Sequence, residues 1–210
     1  MASWQESDGE DGQVHPDIRA ALPALTRSFW TFPETVHLLP DEAKRKKVLP
    51  RYLASDLVDA RRLNALNLAR RDRKVVGAAA WMPPGAYPIP LGRELRQLAT
   101  LAPVLPWGVH AALEGRRGQA ANRAAHRDHG EPHFFLRAVG VDPDYQRQGI
   151  GGELLAPMFE AADAQRAGCF LFTATAANAA WYQSLGFATT RQYRPTPTWP
   201  EVWAMWRPAR

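Results

Sequence analysis

One run constrains this chain more than any other: Val139-Gly140-Val141-Asp142-Pro143-Asp144-Tyr145-Gln146-Arg147-Gln148-Gly149-Ile150-Gly151-Gly152-Glu153-Leu154-Leu155. An apolar stretch from His133 to Val141 reads as a strand. It passes through a turn into a helix whose first residues are glycines. Glycines there let backbone amides approach a ligand closely. Unpaired N–H groups at a helix N-terminus bind anions, aided by the helix dipole. Arg147 and Gln148 add side-chain donors. The run reads as a phosphate or pyrophosphate cradle, and the bland alternative is a glycine-eased turn with no ligand. It is not the dinucleotide fingerprint, because the third glycine would have to stand at Leu154. Nor is it a Walker loop, because no Gly-Lys-Ser/Thr follows.

The surrounding pattern supplies the rest of a βαβ unit. Gly149 to Ala167 has helical periodicity, with Leu154, Leu155, Met158, Phe159 and Ala162 on one face. Gly168 ends it, and Cys169 to Thr175 reads as a short buried strand. Asn178 to Leu185 reads as a short helix closed by Gly186. Phe187 to Tyr193 and Val202 to Trp206 read as strands separated by the proline-rich turn Pro195 to Pro200. Strand, helix, strand at this spacing predicts parallel pairing around a crossover helix.

The first half is less regular. Ile18, Ala21, Leu22, Leu25 and Phe29 predict a helix from Asp17 to Trp30. Asp41 caps a second helix that Pro50 is expected to kink or split. Leu66 to Ala69 and Val75 to Met82 predict a hairpin about the polar turn Arg70 to Lys74. Residues 87–130 have helical composition interrupted by prolines, with helices expected at Leu91 to Leu101 and Val109 to Arg127 and Pro103 and Pro106 between them. Such an insert is long for a plain connection and is read as one wall of a site.

Composition narrows the class. The chain has 210 residues, 46% hydrophobic and 22% charged, which are globular values and exclude a disordered or collagen-like chain. One cysteine, Cys169, excludes a disulfide framework and leaves too few thiols for a Cys-rich zinc site. His126, His129, His133, Asp128 and Glu131 lack metal-ligand spacing, so no metal is expected. Residues 1–15 are acidic and nearly free of aliphatic side chains, and read as a disordered tail. Residues 16–210 read as one domain. The N-terminus has no basic segment followed by an apolar one, and no stretch reads as a membrane span. A soluble, cytoplasmic protein with no membrane partner is the expectation. The net charge of +5 is scattered. Without an interleaved basic motif it does not call for nucleic acid.

The sequence resembles the GNAT superfamily of N-acetyltransferases. Gln146-Arg147-Gln148-Gly149-Ile150-Gly151 is similar to that family's Q/R-x-x-G-x-G/A motif. Asn178-Ala179-Ala180-Trp181-Tyr182-Gln183-Ser184-Leu185-Gly186-Phe187 is similar to its second signature, N-x-x-(aromatic)-Tyr-x-x-x-Gly-Phe. The likeness covers His133 to about Arg207. Within the family the chain resembles the puromycin N-acetyltransferase-like branch, through Gly77 to Gly85, the helical insert, His133 to Leu136 and Leu154-Leu155-Ala156-Pro157.

The resemblance implies an α/β chain of α+β type, a mixed, twisted sheet flanked by helices in three layers. It implies acetyl-coenzyme A as donor. Pyrophosphate would sit on the amides of Arg147 to Gly152, Ile150 included, with Gln146 and Gln148 beside it. The pantetheine arm would run along Val139, Gly140 and Val141 like an added strand. The Val141 N–H would polarise the thioester carbonyl. Asn178 would bind pantetheine, and Tyr182 would protonate the departing thiolate. Tyr182 could instead be a core tyrosine, and Asn178 a helix N-cap.

The general base is open. Members of the branch often carry an acid on the strand before the Asn–Tyr helix, where this chain has Phe172. Glu131, His133 and His110 are candidates by residue type. Cys169, on an apolar strand, reads as inert core. Trp81, Tyr87, Trp107, Phe134, Phe172 and Trp199 could line an acceptor pocket or fill the core. The reading is acetyl transfer to a primary amine of a small molecule by direct attack. Alternatives are transfer to a protein or peptide, and a non-catalytic acyl-coenzyme A-binding module. The oligomeric state is open, a homodimer included, as is the acyl chain length.

Overall fold

Strand β2, Lys74–Met82, is buried at every residue after Lys74. A strand like that needs a cover on both faces. The structure is a computed structural model and describes residues 15–86, 105–127 and 132–210. In chain order its elements are α1 (Pro16–Phe29), α2 (Pro33–Leu38), α3 (Glu42–Arg62), β1 (Leu66–Arg71), β2, α4 (Leu105–Arg127), β3 (His133–Val141), a 3-10 turn (Pro143–Tyr145), α5 (Ile150–Ala164), β4 (Gly168–Thr173), α6 (Ala176–Ser184), β5 (Ala188–Tyr193) and β6 (Val202–Arg207).

The sheet runs β1-β2-β3-β4-β6-β5. Strands β3 and β4 are parallel, joined by the crossover helix α5, and the other pairings are antiparallel. One apolar cluster joins α1 and α3 to the sheet through Ile18, Leu25, Leu53, Leu57, Val75, Ala78 and Ala80. A larger one on the opposite face gathers Ile150, Leu154, Leu155 and Met158 of α5 against Val76, Ala79, Phe134 and Leu171. The mixed, helix-flanked sheet expected from the sequence is present.

Four boundaries differ from the sequence reading, each for a physical reason. Pro50 lies inside a continuous α3. Burial of Val48, Leu49, Leu53, Leu57 and Ala60 along that helix outweighs the roughly 3 kcal/mol that an interior proline costs. Pro106, expected as a separator, is the second residue of α4, where no intrahelical N–H is needed. The hairpin turn narrows to Asp72 and Arg73, both left-handed at φ 48° and 66°, the twist a two-residue hairpin turn requires. Helix α2 has no counterpart in the sequence reading. Pro33 at its start is the signal that marks it. The expected helix Leu91 to Leu101 lies outside the described residues, as does the tail before residue 15.

Two contacts position the site. Helix α1 crosses β3 at Gly140, where a Cβ would stand 2.8 Å from Leu25 Cδ2 and 2.7 Å from Ser28 Oγ. Only glycine allows that approach. Buried Arg45 of α3 donates to three carbonyls, Leu39 (2.8 Å), Trp30 (3.2 Å) and Pro40 (3.1 Å). It thereby ties the end of α1 and the two residues after α2 to one side chain.

Candidate active site

Strands β3 and β4 pair for only four residues, from His133–Gly168 to Leu136–Leu171. Beyond Leu171, β4 continues to Thr173 against β6, while β3 continues to Val141 against β2. The two strands part after Leu136, and the β4 side of Arg137–Val141 is left without a strand. The Asp142 N–H donates to the Val76 carbonyl at 2.8 Å and points towards β2. Alternation along an extended chain turns the N–H groups of Val141 and Val139 the other way, into the gap. The Val141 carbonyl shares that direction and accepts from Gln146 Nε2 at 3.0 Å.

The turn after β3 is clamped. Asp142 is 2% exposed and accepts from Arg27 Nη1 at 2.6 Å. It also accepts from the Asp144 N–H at 3.2 Å, and Lys74 Nζ lies 3.5 Å away. Arg27 also grips Asp144 at 2.9 and 3.1 Å, and that ion pair holds the Asp144 carboxyl below the usual carboxylate range. The clamp anchors α1 to the loop that carries Gln146, Arg147 and Gln148, all three exposed.

Gly149 caps α5 in the left-handed region, at φ 79°. It turns the chain so that the first-turn amides of α5 lack intrahelical acceptors. A Cβ at Gly152 would meet nothing within 4 Å, so that face is open. Gly151 differs: a Cβ there would stand 2.8 Å from Trp181 Cζ2. Its smallness seats α6 against the start of α5. Ile150 is buried beneath the turn.

That seating brings the second signature to the first. Tyr182 is 5% exposed, with its ring 4.7 Å from Trp181 and 5.6 Å from Phe187. Burial pushes its pKa upward, so the phenol stays protonated. Asn178 is partly buried in the first turn of α6. It is not the N-cap. Thr175 is, accepting from the Asn178 N–H at 3.1 Å, and the Asn178 side chain is not used for capping.

The remaining expectations divide. Cys169 is buried, and its thiol is pushed up to about 12 chiefly by desolvation. His133 sits at the start of β3, six residues and roughly 20 Å of strand from Val139. Its Nε2 lies 2.9 Å from His126 Nε2, and its ring packs on Phe170 and Trp206. It joins α4 to the sheet and is remote from the gap. Glu131, Tyr87 and the side chains of His110 and Trp107 lie outside the described residues. Trp81, Phe134 and Trp199 are core. Phe172 is partly buried, edge-on to Phe135 at 5.8 Å and Phe170 at 4.9 Å. Among the described residues no group of three His, Cys, Asp or Glu could hold a metal ion, and no helix is long and apolar enough to cross a membrane.

The sequence reading missed a charged cluster beside the gap. Arg137 is the extra residue in a bulge, since Ala80 faces Ala138 and Trp81 faces Leu136. Its Nη2 donates to Asp56 of α3, whose residue is 4% exposed. Glu34 of α2 and Tyr52 of α3 interact electrostatically with both. Burial pushes the Glu34 carboxyl up to about 7, against the pull of Arg137 and with a further push from Asp56. Asp56 also raises the Tyr52 phenol. An interior Asp on an otherwise apolar helical face was the one signal in the sequence.

Residues 108–189 match the family model described as the acetyltransferase (GNAT) domain. Solved structures are similar over nearly the whole chain. A Corynebacterium glutamicum protein described as histone acetyltransferase HPA2 and related acetyltransferase superposes with a TM-score of 0.62 at 16% identity, covering 94% of each chain. A polyamine N-acetyltransferase from Drosophila melanogaster that forms N-acetylagmatine superposes with a TM-score of 0.56 at 17% identity, covering 91% of this chain and 95% of its own. At such identities the superpositions speak for the fold. The family match covers residues 108–189, and the fold is the one that these acetyltransferases share.

Proposed function

We propose that the protein transfers an acetyl group from acetyl-coenzyme A to the primary amine of a small molecule, by direct attack. The observation that carries this reading is the gap between β3 and β4, lined by the Val139 and Val141 amides and ending at the open first turn of α5. The residues present fit the donor. A backbone edge suits the amide-bearing pantetheine arm. The open turn at Gly149 to Gly152, flanked by Arg147 and Gln148, suits a pyrophosphate. When bound, acetyl-coenzyme A supplies an activated thioester.

The chain supplies the rest. Val139 and Val141 offer N–H groups along one line, and Val141 polarises the carbonyl; Val139 presents the same group one step nearer the charged cluster. Gly140 keeps α1 close behind them. Gln146 holds the Val141 carbonyl, which fixes the turn into the cradle. Asn178, released from capping, bonds to the donor's arm. Tyr182 gives its proton to sulfur as the C–S bond breaks. Helix α4 walls the acceptor site, within the single domain 16–210. The branch resemblance supports a small-molecule acceptor.

The test is thiol release from acetyl-coenzyme A across a panel of alkylamines, arylamines and peptides, with the product mass measured. Release coupled to acetylation of a small primary amine is the expected result. Acetylation of peptides alone overturns the substrate class, and binding without any transfer overturns the activity.

A further inference from the structure

The first turn of α5 carries an acid, Glu153, beside the open cradle. On the reading that this turn receives the donor's diphosphate, we propose that Arg71 of β1 is a positioning residue for the donor. It holds the Glu153 carboxylate away from the α5 amides and leaves them free for the diphosphate.

An ion pair fixes the arrangement. Arg71 Nη2 donates to Glu153 Oε2 at 2.7 Å, and Nη1 donates to Oε1 at 3.4 Å. Nη1 also donates to the Arg70 carbonyl at 2.9 Å, so the guanidinium is held from two sides. The β1 register slips between Ala69 and Arg70, and successive side chains beyond that bulge leave by opposite faces of the sheet. Arg70 reaches Asp17 of α1 at 2.7 Å, whereas Arg71 reaches α5. A second bond ties the same strand to the same helix, from Asn67 Nδ2 to the Leu154 carbonyl at 3.0 Å. Gly149, Gly152 and Glu153 share one face of the helix, by their spacing of three and four. Cβ atoms at Gly149 and Gly152 would meet nothing within 4 Å. Gly151, on the other side, is closed off by Trp181. The open face is bordered by Trp181 on one flank and by the Arg71–Glu153 pair on the other.

Unpaired amides and the helix dipole draw a carboxylate as readily as a phosphate. Glutamates in a first turn reach back to such amides and cap them. The hydrogen bond from Arg71 holds the Glu153 carboxyl below its usual range, so the group is ionised at neutral pH. Without Arg71 that carboxylate is an internal competitor for the cradle and a like charge beside the diphosphate. With Arg71 it is neutralised and turned towards β1. The two side chains are 39% and 54% exposed, so the pair contributes little to stability. Its effect falls on the donor instead.

Calorimetric titration with coenzyme A at low ionic strength tests this without acceptor or turnover. Arg71→Gln is expected to bind about tenfold more weakly than the wild type. The double variant Arg71→Gln with Glu153→Gln is expected to return to within about threefold of wild type, because the acid that Arg71 restrains is gone. Arg70→Gln removes the same charge from the opposite face and is expected to stay within about threefold. Raising the salt to about 1 M is expected to shrink the Arg71→Gln defect. Dephospho-coenzyme A, which keeps the diphosphate and lacks the 3′-phosphate, is expected to show the same loss. Thermal melts of the variants are expected within about 2 °C of wild type. Wild-type affinity in Arg71→Gln, a double variant as weak as Arg71→Gln, an equal loss in Arg70→Gln, a loss confined to coenzyme A, or a weaker binder that has also lost its fold overturns the assignment. A wild type that binds no coenzyme A overturns the diphosphate reading and this one with it. A wild type that binds, beside a double variant that is not rescued, overturns this one alone.

Discussion

Replacing Tyr182 by phenylalanine separates chemistry from packing at a single oxygen. The ring is 5% exposed and lies edge-on to Phe187 at 5.6 Å and tilted against Trp181 at 4.7 Å. Phenylalanine keeps each of those contacts. Alanine would discard them, at about 3 to 5 kcal/mol, and confuse a catalytic effect with unfolding. Burial raises the phenol pKa, which keeps the proton on oxygen across the working pH range but makes the group a weaker acid. A thiol of ordinary pKa near ~8.5 is a stronger acid than that phenol, so proton transfer has to accompany C–S cleavage instead of preceding it. Losing a general acid of this kind costs about 10²-fold in kcat, or roughly 2.7 kcal/mol of barrier at 1.36 kcal/mol per decade. The measurement is kcat with donor and acceptor both saturating, beside a thermal melt expected to stay within about 2 °C of wild type. A kcat within about threefold of wild type, with chemistry limiting, would refute the role and return Tyr182 to the core.

The cradle is best probed at Gly152. A side chain there meets open space, so Gly152→Glu should fold normally while calorimetric coenzyme A affinity drops at least tenfold, about 1.4 kcal/mol; unchanged affinity sinks the pyrophosphate assignment. Gly151 is the poorer probe because its Cβ would strike Trp181. The clamp behind the cradle is probed by Asp142→Ala, which removes a 2% exposed acceptor from Arg27 and Lys74. Those cations are 48% and 53% exposed and regain water, which limits the loss to about 2 kcal/mol. Denaturant unfolding measures it, together with a rise in donor KM, and a loss under about 0.5 kcal/mol counts against the clamp.

The second half of the chain was legible because its signals are local. Periodicity placed β3 and α5, and glycine chemistry marked the αL turn at Gly149. The Asn178–Phe187 signature marked α6, although Thr175 and not Asn178 turned out to cap it. What stayed hidden is what depends on distant partners. Asp142 and Arg27 are 115 residues apart, and Arg137 and Asp56 are 81 apart. No window of sequence shows that the chain brings them together. Glu34 sits on a helix of six residues, too short for periodicity to speak. Pro50 misled because local propensity was weighed without the buried face that overrides it. His133 misled because residue type says nothing about which end of a strand faces the chemistry.

The central claim is that the donor docks along the open side of β3 and ends on the first turn of α5. Amide hydrogen exchange with and without coenzyme A reads this residue by residue. Ligand-dependent protection is expected at Val139 and Val141 and across Arg147 to Gly152, with Gly140, whose N–H faces β2, unchanged. Protection that appears elsewhere while those amides exchange as in the free protein would contradict the account.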